Sequence, residues 1–114
     1  MTMQFTKIQS PISLAHAVIR RYSVSDDGLA LELQAWNNSN VHLNFSGVIG
    51  LGDFGGREIS GFVQSNASSE ILRVALHRMF GRIPESHEYH LFQGLDHDDQ
   101  VTIEVIAKAV TVTI

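Results

Sequence analysis

The sequence predicts an α+β domain, an antiparallel β-sheet of about five or six strands that begins as a meander, with one α-helix packed on it. Three observations predict it. Apolar and polar residues alternate with a period of two through residues 29–45, one later segment carries apolar residues at helical spacing, and turn-forming clusters punctuate both.

The first strand is read over His16 to Val24, HAVIRRYSV, where β-branched and aromatic residues predominate and SDDG at Ser25 to Gly28 follows as a tight turn. In the second, LALELQAW, Leu29, Leu31, Leu33 and Ala35 alternate with Ala30, Glu32, Gln34 and Trp36. The polar cluster Asn37 to Asn40 ends it, and Val41, Leu43 and Phe45 alternate with His42, Asn44 and Ser46 in a third strand. Residues opposite each other in an antiparallel pair share a face, which fixes the register. Setting Val24 against Leu29 places Tyr22 against Leu31, Arg20 against Leu33, Val18 against Ala35, and Arg21 against Glu32 on the wet side. Setting Leu33 against Leu43 or Phe45 requires an odd loop, and three residues with a left-handed Asn meet that requirement.

The segment GVIGLGDFGGREISGFV holds six of the nine glycines and is read as an irregular connection, with a short strand at Glu58 to Val63. Asn66 or Ser68 is placed to cap a helix that runs to Phe80, with Ile71, Leu72, Ala75, Leu76 and Met79 as its apolar stripe. Glu70, Arg73, His77 and Arg78 fall on its wet side, and Gly81 and then Pro84 suit its end. Two strands, His87 to Gln93 and Gln100 to Ile114, follow across the acidic turn GLDHDD. The apolar set of the last one changes phase between Val105 and Val110, which predicts a bulge or a strand bent between two packing surfaces. The whole chain reads as a single domain, 1–114, with residues 1–14 as an N-terminal arm or short strand.

With 44% hydrophobic and 18% charged residues, the composition is that of a globular chain able to bury one core. The formal charge of -4 supplies no basic stripe to track phosphates, so nucleic acid is not an expected partner. Cysteine is absent, which excludes disulfides and thiolate chemistry. The first fourteen residues carry only Lys7 and no continuous apolar run, unlike a signal peptide, and no stretch approaches a membrane span. A cytoplasmic protein that does not bind membranes is the expectation.

Gly50-Leu51-Gly52-Asp53-Phe54-Gly55 matches the GxGxxG pattern of dinucleotide sites, yet a β-like EISGFV follows where a helix would be required. Asp53 would also set a negative charge where phosphate should lie, so a glycine-rich bend is expected and no cofactor. His87, His90, His97 and the carboxyls of Asp96, Asp98 and Asp99 cluster late, but His87 and His90 point to opposite faces of a regular strand. A solvated acidic turn without a metal is the reading. No nucleophile elbow accompanies the serines and histidines, so no catalytic residue is assigned.

Four residues stand as candidate binding groups: Arg20, Trp36, His42 and Asp53. The register directs Arg20 to the apolar face, where it must pair with a carboxyl such as Asp53, Glu58 or Glu104, snorkel to water, or anchor a ligand. Trp36 is expected on the outer face of the second strand near Ala17, Ile19 and His42, as an interface anchor.

HAVI, LALELQAW, VHLNFSGV with the glycine-containing bend, and the closing IEVIAKAV together resemble a group of small bacterial proteins that includes immunity proteins of polymorphic toxin systems. The resemblance covers most of the chain in outline and is weakest at the helix. It implies binding and neutralisation of a cognate toxin without catalysis. The family carries a bulky acidic residue after the leading His, where Ala17 stands in this chain, so no role is carried over to that position. A non-catalytic module that presents a sheet face or the Gly-rich bend to a partner protein is therefore expected. The alternative is a small-molecule-binding or hydrolytic domain with a pocket between helix and sheet, anchored by Arg20 and a histidine, and a third possibility is self-association through Val110, Val112 and Ile114.

Overall fold

A computed structural model describes residues 5–8, 10, 13–26, 28–65, 70–84 and 88–114. In chain order these form β1 (Phe5–Lys7), β2 (Ala17–Val24), β3 (Gly28–Gln34), β4 (Asn40–Ser46), β5 (Gly50–Asp53), β6 (Glu58–Ile59), β7 (Gly61–Ser65), α1 (Glu70–Phe80), β8 (His90–Leu95), β9 (Val101–Ala107) and β10 (Ala109–Thr113). The fold is α+β and antiparallel. Its strands divide into two five-stranded sheets, β10-β4-β3-β2-β6 and β1-β7-β8-β9-β5. We call them the meander sheet and the helix-bearing sheet.

The alternation at residues 29–45 does what its period demands. Leu29, Leu31, Leu33, Val41, Leu43 and Phe45 are all buried, and they pack with Phe62, Phe92, Ile103, Val105 and Ala107 of the other sheet in one core. Phe45 lies 5.3 Å from Phe92 and 5.9 Å from Phe62, centroid to centroid, in tilted and edge-on arrangements that the ring quadrupole favours. The opposite face of the meander sheet is polar. There Arg21 Nε lies 2.7 Å from Glu32 Oε2, and Asn44 Nδ2 donates to Thr113 Oγ1.

Registers Val24↔Leu29, Tyr22↔Leu31 and Arg21↔Glu32 are as expected, but Leu33 opposes Ile19 and Gln34 opposes Val18. A bulge between Ile19 and Arg21 takes Arg20 out of the ladder and returns Ile19 to the core, so Arg20 is exposed. The meander's second turn is the three-residue loop Trp36-Asn37-Asn38, closed by Ala35 N–H to Ser39 O, with Asn38 left-handed at φ 65°. Leu33 pairs with Val41, and Leu31 with Leu43, so the face is as expected and the register differs from the Leu33 to Leu43 or Phe45 match.

Three of the crossings between sheets turn on single residues. At Gly47, φ is +64°, and a Cβ there would come within 2.7 Å of the Lys108 side chain. The chain then enters β5, so Gly50–Asp53 is a regular edge strand paired with β9 where the sequence suggests only an irregular connection. The read strand 58–63 is likewise split at Ser60, its first half in the meander sheet and its second in the helix-bearing sheet. The third corner is Lys108. It separates β9 from β10, and the phase change at the C-terminus is this crossing between packing surfaces.

Helix α1 covers the far face of the helix-bearing sheet through Leu72 and Leu76, which pack with Tyr89, Leu91 and Ile106. Gly81, at φ +72° with its N–H on His77 O, ends the helix in the left-handed position. The capping positions Asn66 and Ser68, and His87, lie outside the described residues. The apolar stripe is narrower than its spacing suggests: Ile71 and Met79 are exposed.

Candidate functional site

The four sequence candidates do not converge. Arg20 sits in the bulge and makes no ion pair among the described residues, so the expected pairings with Asp53, Glu58 or Glu104 are not formed. Glu58 instead lies 3.8 Å from His16, a turn residue with φ 59° that precedes β2. Trp36 is 65% exposed at the meander turn, and Ala17 and Ile19, its expected neighbours, are core residues. His42 is half-buried on the polar face of β4 opposite Glu32. Asp53 ends β5 and is used locally, its Oδ1 accepting from Gly55 N–H and its Oδ2 from the Tyr22 hydroxyl at 3.3 Å.

The late acidic segment is a turn of the same construction as the meander's. Asp96 N–H donates to Gln100 O and Asp99 is left-handed at φ 59°, while Asp96 Oδ1 accepts from the N–H groups of Asp98 and Gln100. This use of the carboxyl explains the Asp at the first position. His97 projects beside Asp98 at 3.5 Å, and His90 lies edge-on to Phe92 in β8. Among the described residues no three His, Asp or Glu side chains are grouped to hold one metal ion.

A concave site away from these candidates lies between α1 and the β5 edge of the helix-bearing sheet. It is a groove of ≈ 420 Å³ whose walls include Ile49, Ile71, Val74, Ala75 and Ile106, with Glu70, Arg78 and Glu104 as its ionisable groups. Its floor exists because β5 presents glycine at both positions facing the helix. Gly50 opposes Ile106 and Gly52 opposes Glu104, and a Cβ on Gly52 would stand 3.0 Å from Glu104 Cγ and 3.2 Å from its Oε1. The nearby ring of Phe54 would lie 3.4 Å from the same Cβ.

Glu104 is 4% exposed. Gln93, opposite it on β8, donates from Nε2 to its Oε2 at 3.2 Å and is its one hydrogen-bond partner among the described residues. A carboxyl group has room for about four hydrogen bonds. Arg78, though it lines the same groove, forms no ion pair with it.

A second surface adjoins the groove. Ile71, Val74, Met79, Phe80 and Ile83 are 44–58% exposed, and Val74 lines both the groove and a hollow on the other side that Ile83 helps form. Arg73, His77, Arg78 and Arg82 are exposed among them. The helix is thus basic and apolar on a chain whose formal charge is -4.

Sequence reasoning named Glu104 only as a possible partner of Arg20 and missed it as a groove residue, because Val101, Ile103 and Val105 alternate with it. The available signal was Ile106, an apolar residue on the same side of the strand as Glu104. Compared with known proteins, the chain matches no family model, no curated protein and no solved structure. Among the described residues no helix is long and apolar enough to cross a membrane.

Proposed function

We propose that this chain is a non-catalytic module that binds a partner protein through α1 and the segment that follows it. One observation carries the reading: Ile71, Val74, Met79, Phe80 and Ile83, all large and apolar, are exposed within a single short stretch. Isolated apolar side chains are ordinary on a surface, whereas a contiguous group rimmed by polar residues marks an interaction site. Arg73, Arg78 and Arg82 are exposed between the apolar residues, so the partner presents acidic groups interspersed with apolar ones. The contact face therefore differs from the sheet face or Gly-rich bend suggested by the sequence, since the outer face of the meander sheet is polar at Arg21, Glu32, His42 and Asn44. A toxin domain neutralised in the bacterial cytoplasm is the partner implied by the resemblance to immunity proteins.

The test is co-expression with the products of adjoining genes, followed by size-exclusion chromatography with light scattering. A one-to-one complex is expected, weakened at least about tenfold by Val74→Asp with Phe80→Asp, because apolar anchors dominate such interfaces. A chain that stays alone with every neighbour's product, or a complex indifferent to both substitutions, would refute the reading. Self-association is a second reading, favoured by β10, an edge strand of the meander sheet beside an exposed Ile114. The same chromatography decides it, since a monomer at every concentration removes it.

A further inference from the structure

We propose that the groove between α1 and β5 binds a small organic ammonium ion carried on an apolar body, with Glu104 as its anchor. The groove shares Ile71, Val74 and Arg78 with the protein-binding face, but the inference does not rest on that reading.

The walls come first. Ile49, Ile71, Val74 and Ile106 are suited to an alkyl or aryl group, and ≈ 420 Å³ is within the size range of small-molecule sites. Next is the floor. Ordinary side chains on Gly50 and Gly52 would fill the space, because a Cβ on the first meets Ile106 Cδ1 at 3.2 Å and on the second meets Glu104 at 3.0 Å. The glycines leave room beside the Glu104 carboxyl.

Charge then selects the ligand. Gln93 provides the carboxyl with a single neutral donor, at Oε2, so its other oxygen is free to meet a cation that enters the groove. Its Oε1, on the Gly52 side, has no partner among the described residues. An ammonium ion supplies three N–H donors and a positive charge at that oxygen. Three ionisable side chains face the groove, Glu70, Arg78 and Glu104, which leaves it formally negative by one charge and disfavours an anion.

The experiment titrates the isotope-labelled full chain with n-hexylammonium, 1-hexanol and hexanoate, following backbone amides by NMR. Hexylammonium is expected to shift the amides of Gly50, Gly52 and Glu104, and to bind at least about tenfold more tightly than hexanol, the value of one charge-assisted hydrogen bond. Hexanoate should leave those amides in place. Glu104→Gln keeps the shape and should bring hexylammonium down to the hexanol affinity, while Gly52→Ala should weaken hexylammonium severalfold by crowding Oε1. Arg78→Gln, which removes a like charge from the rim, should tighten it. Equal binding of the three probes, no shifts at these amides, or an unchanged affinity in Glu104→Gln would overturn the proposal. The probe series on the unsubstituted chain decides the matter even if a variant fails to fold.

Discussion

The helix-bearing sheet is covered on both faces and the meander sheet on one, and the two coverings differ in kind. Between the sheets lies a broad core in which Leu31, Leu33, Val41, Leu43, Phe62 and Phe92 are almost wholly withdrawn from water. Beneath α1 the buried set is short: Leu72, Leu76, Tyr89, Leu91 and Ile106. Apolar area removed from water sets the scale of the hydrophobic contribution, so the sandwich carries the stability and the helix is held by a narrow base. A narrow base also leaves room beside it. The groove and the exposed apolar ridge both occupy space that a fully docked helix would have filled, which is why the candidate chemistry gathers on the weaker layer.

The largest expected effect breaks the sandwich. Phe92, 1% exposed and in edge contact with Phe45, should cost about 3–5 kcal/mol when replaced by Ala, a large share of the stability of a small domain. Urea titration followed by fluorescence and circular dichroism checks it, with both signals lost together. Leu76→Ala removes an equally buried side chain, 1% exposed, but from the thinner layer. Its expected cost is nearer 2 kcal/mol, at the low end for such truncations, because the helix can settle or lift away from the sheet. Hydrogen exchange separates the two cases. In Leu76→Ala the amides of α1 should exchange faster while those of β3 and β4 keep their protection, a sub-global opening. Equal loss of protection in β3 and α1 would show that helix and sandwich form one cooperative unit.

The same contrast explains what was legible in the sequence. Where a sheet is covered on one face only, alternation reports burial faithfully, and Leu29 to Phe45 reads without error as to face. In β9 it misleads. Residues 102–107 are buried without interruption, since Ile103 and Val105 meet the other sheet while Glu104 and Ile106 meet the helix layer. The polar residue in that alternation is therefore a buried one, so a pocket between helix and sheet could be anticipated from the sequence, but with Arg20 and a histidine as its anchors and not Glu104. Arg20 failed for a different reason. Pairing by parity assumes an unbroken ladder, and one extra residue at the bulge reverses the face of everything N-terminal to it, which returns Ile19 to the core and sends Arg20 to water. Glycine was ambiguous in its own way: the pairs at 50 and 52 and at 55 and 56 look alike in sequence, yet the first lines a strand and the second a bend with Gly55 at φ +88°.

The smallest effects test whether the two sheets differ at their turns as they do in their coverings. Asn38 joins β3 to β4 and Asp99 joins β8 to β9, each left-handed and each closing a three-residue loop with the same hydrogen bonds. Left-handed backbone costs a residue with a Cβ about 1–2 kcal/mol, less for Asn and Asp, whose side chains hydrogen-bond locally, and nothing for Gly. Asn38→Ala and Asp99→Ala should therefore each destabilise by about 1 kcal/mol, and the corresponding Gly variants should fall within about 0.5 kcal/mol of the parent. Matching values by thermal denaturation would mean that turn energetics are set locally, whatever lies over the sheet. A markedly larger loss at Asp99 would mean that the β8–β9 hairpin, which holds both Gln93 and Glu104, depends on its turn to keep the groove's floor in register.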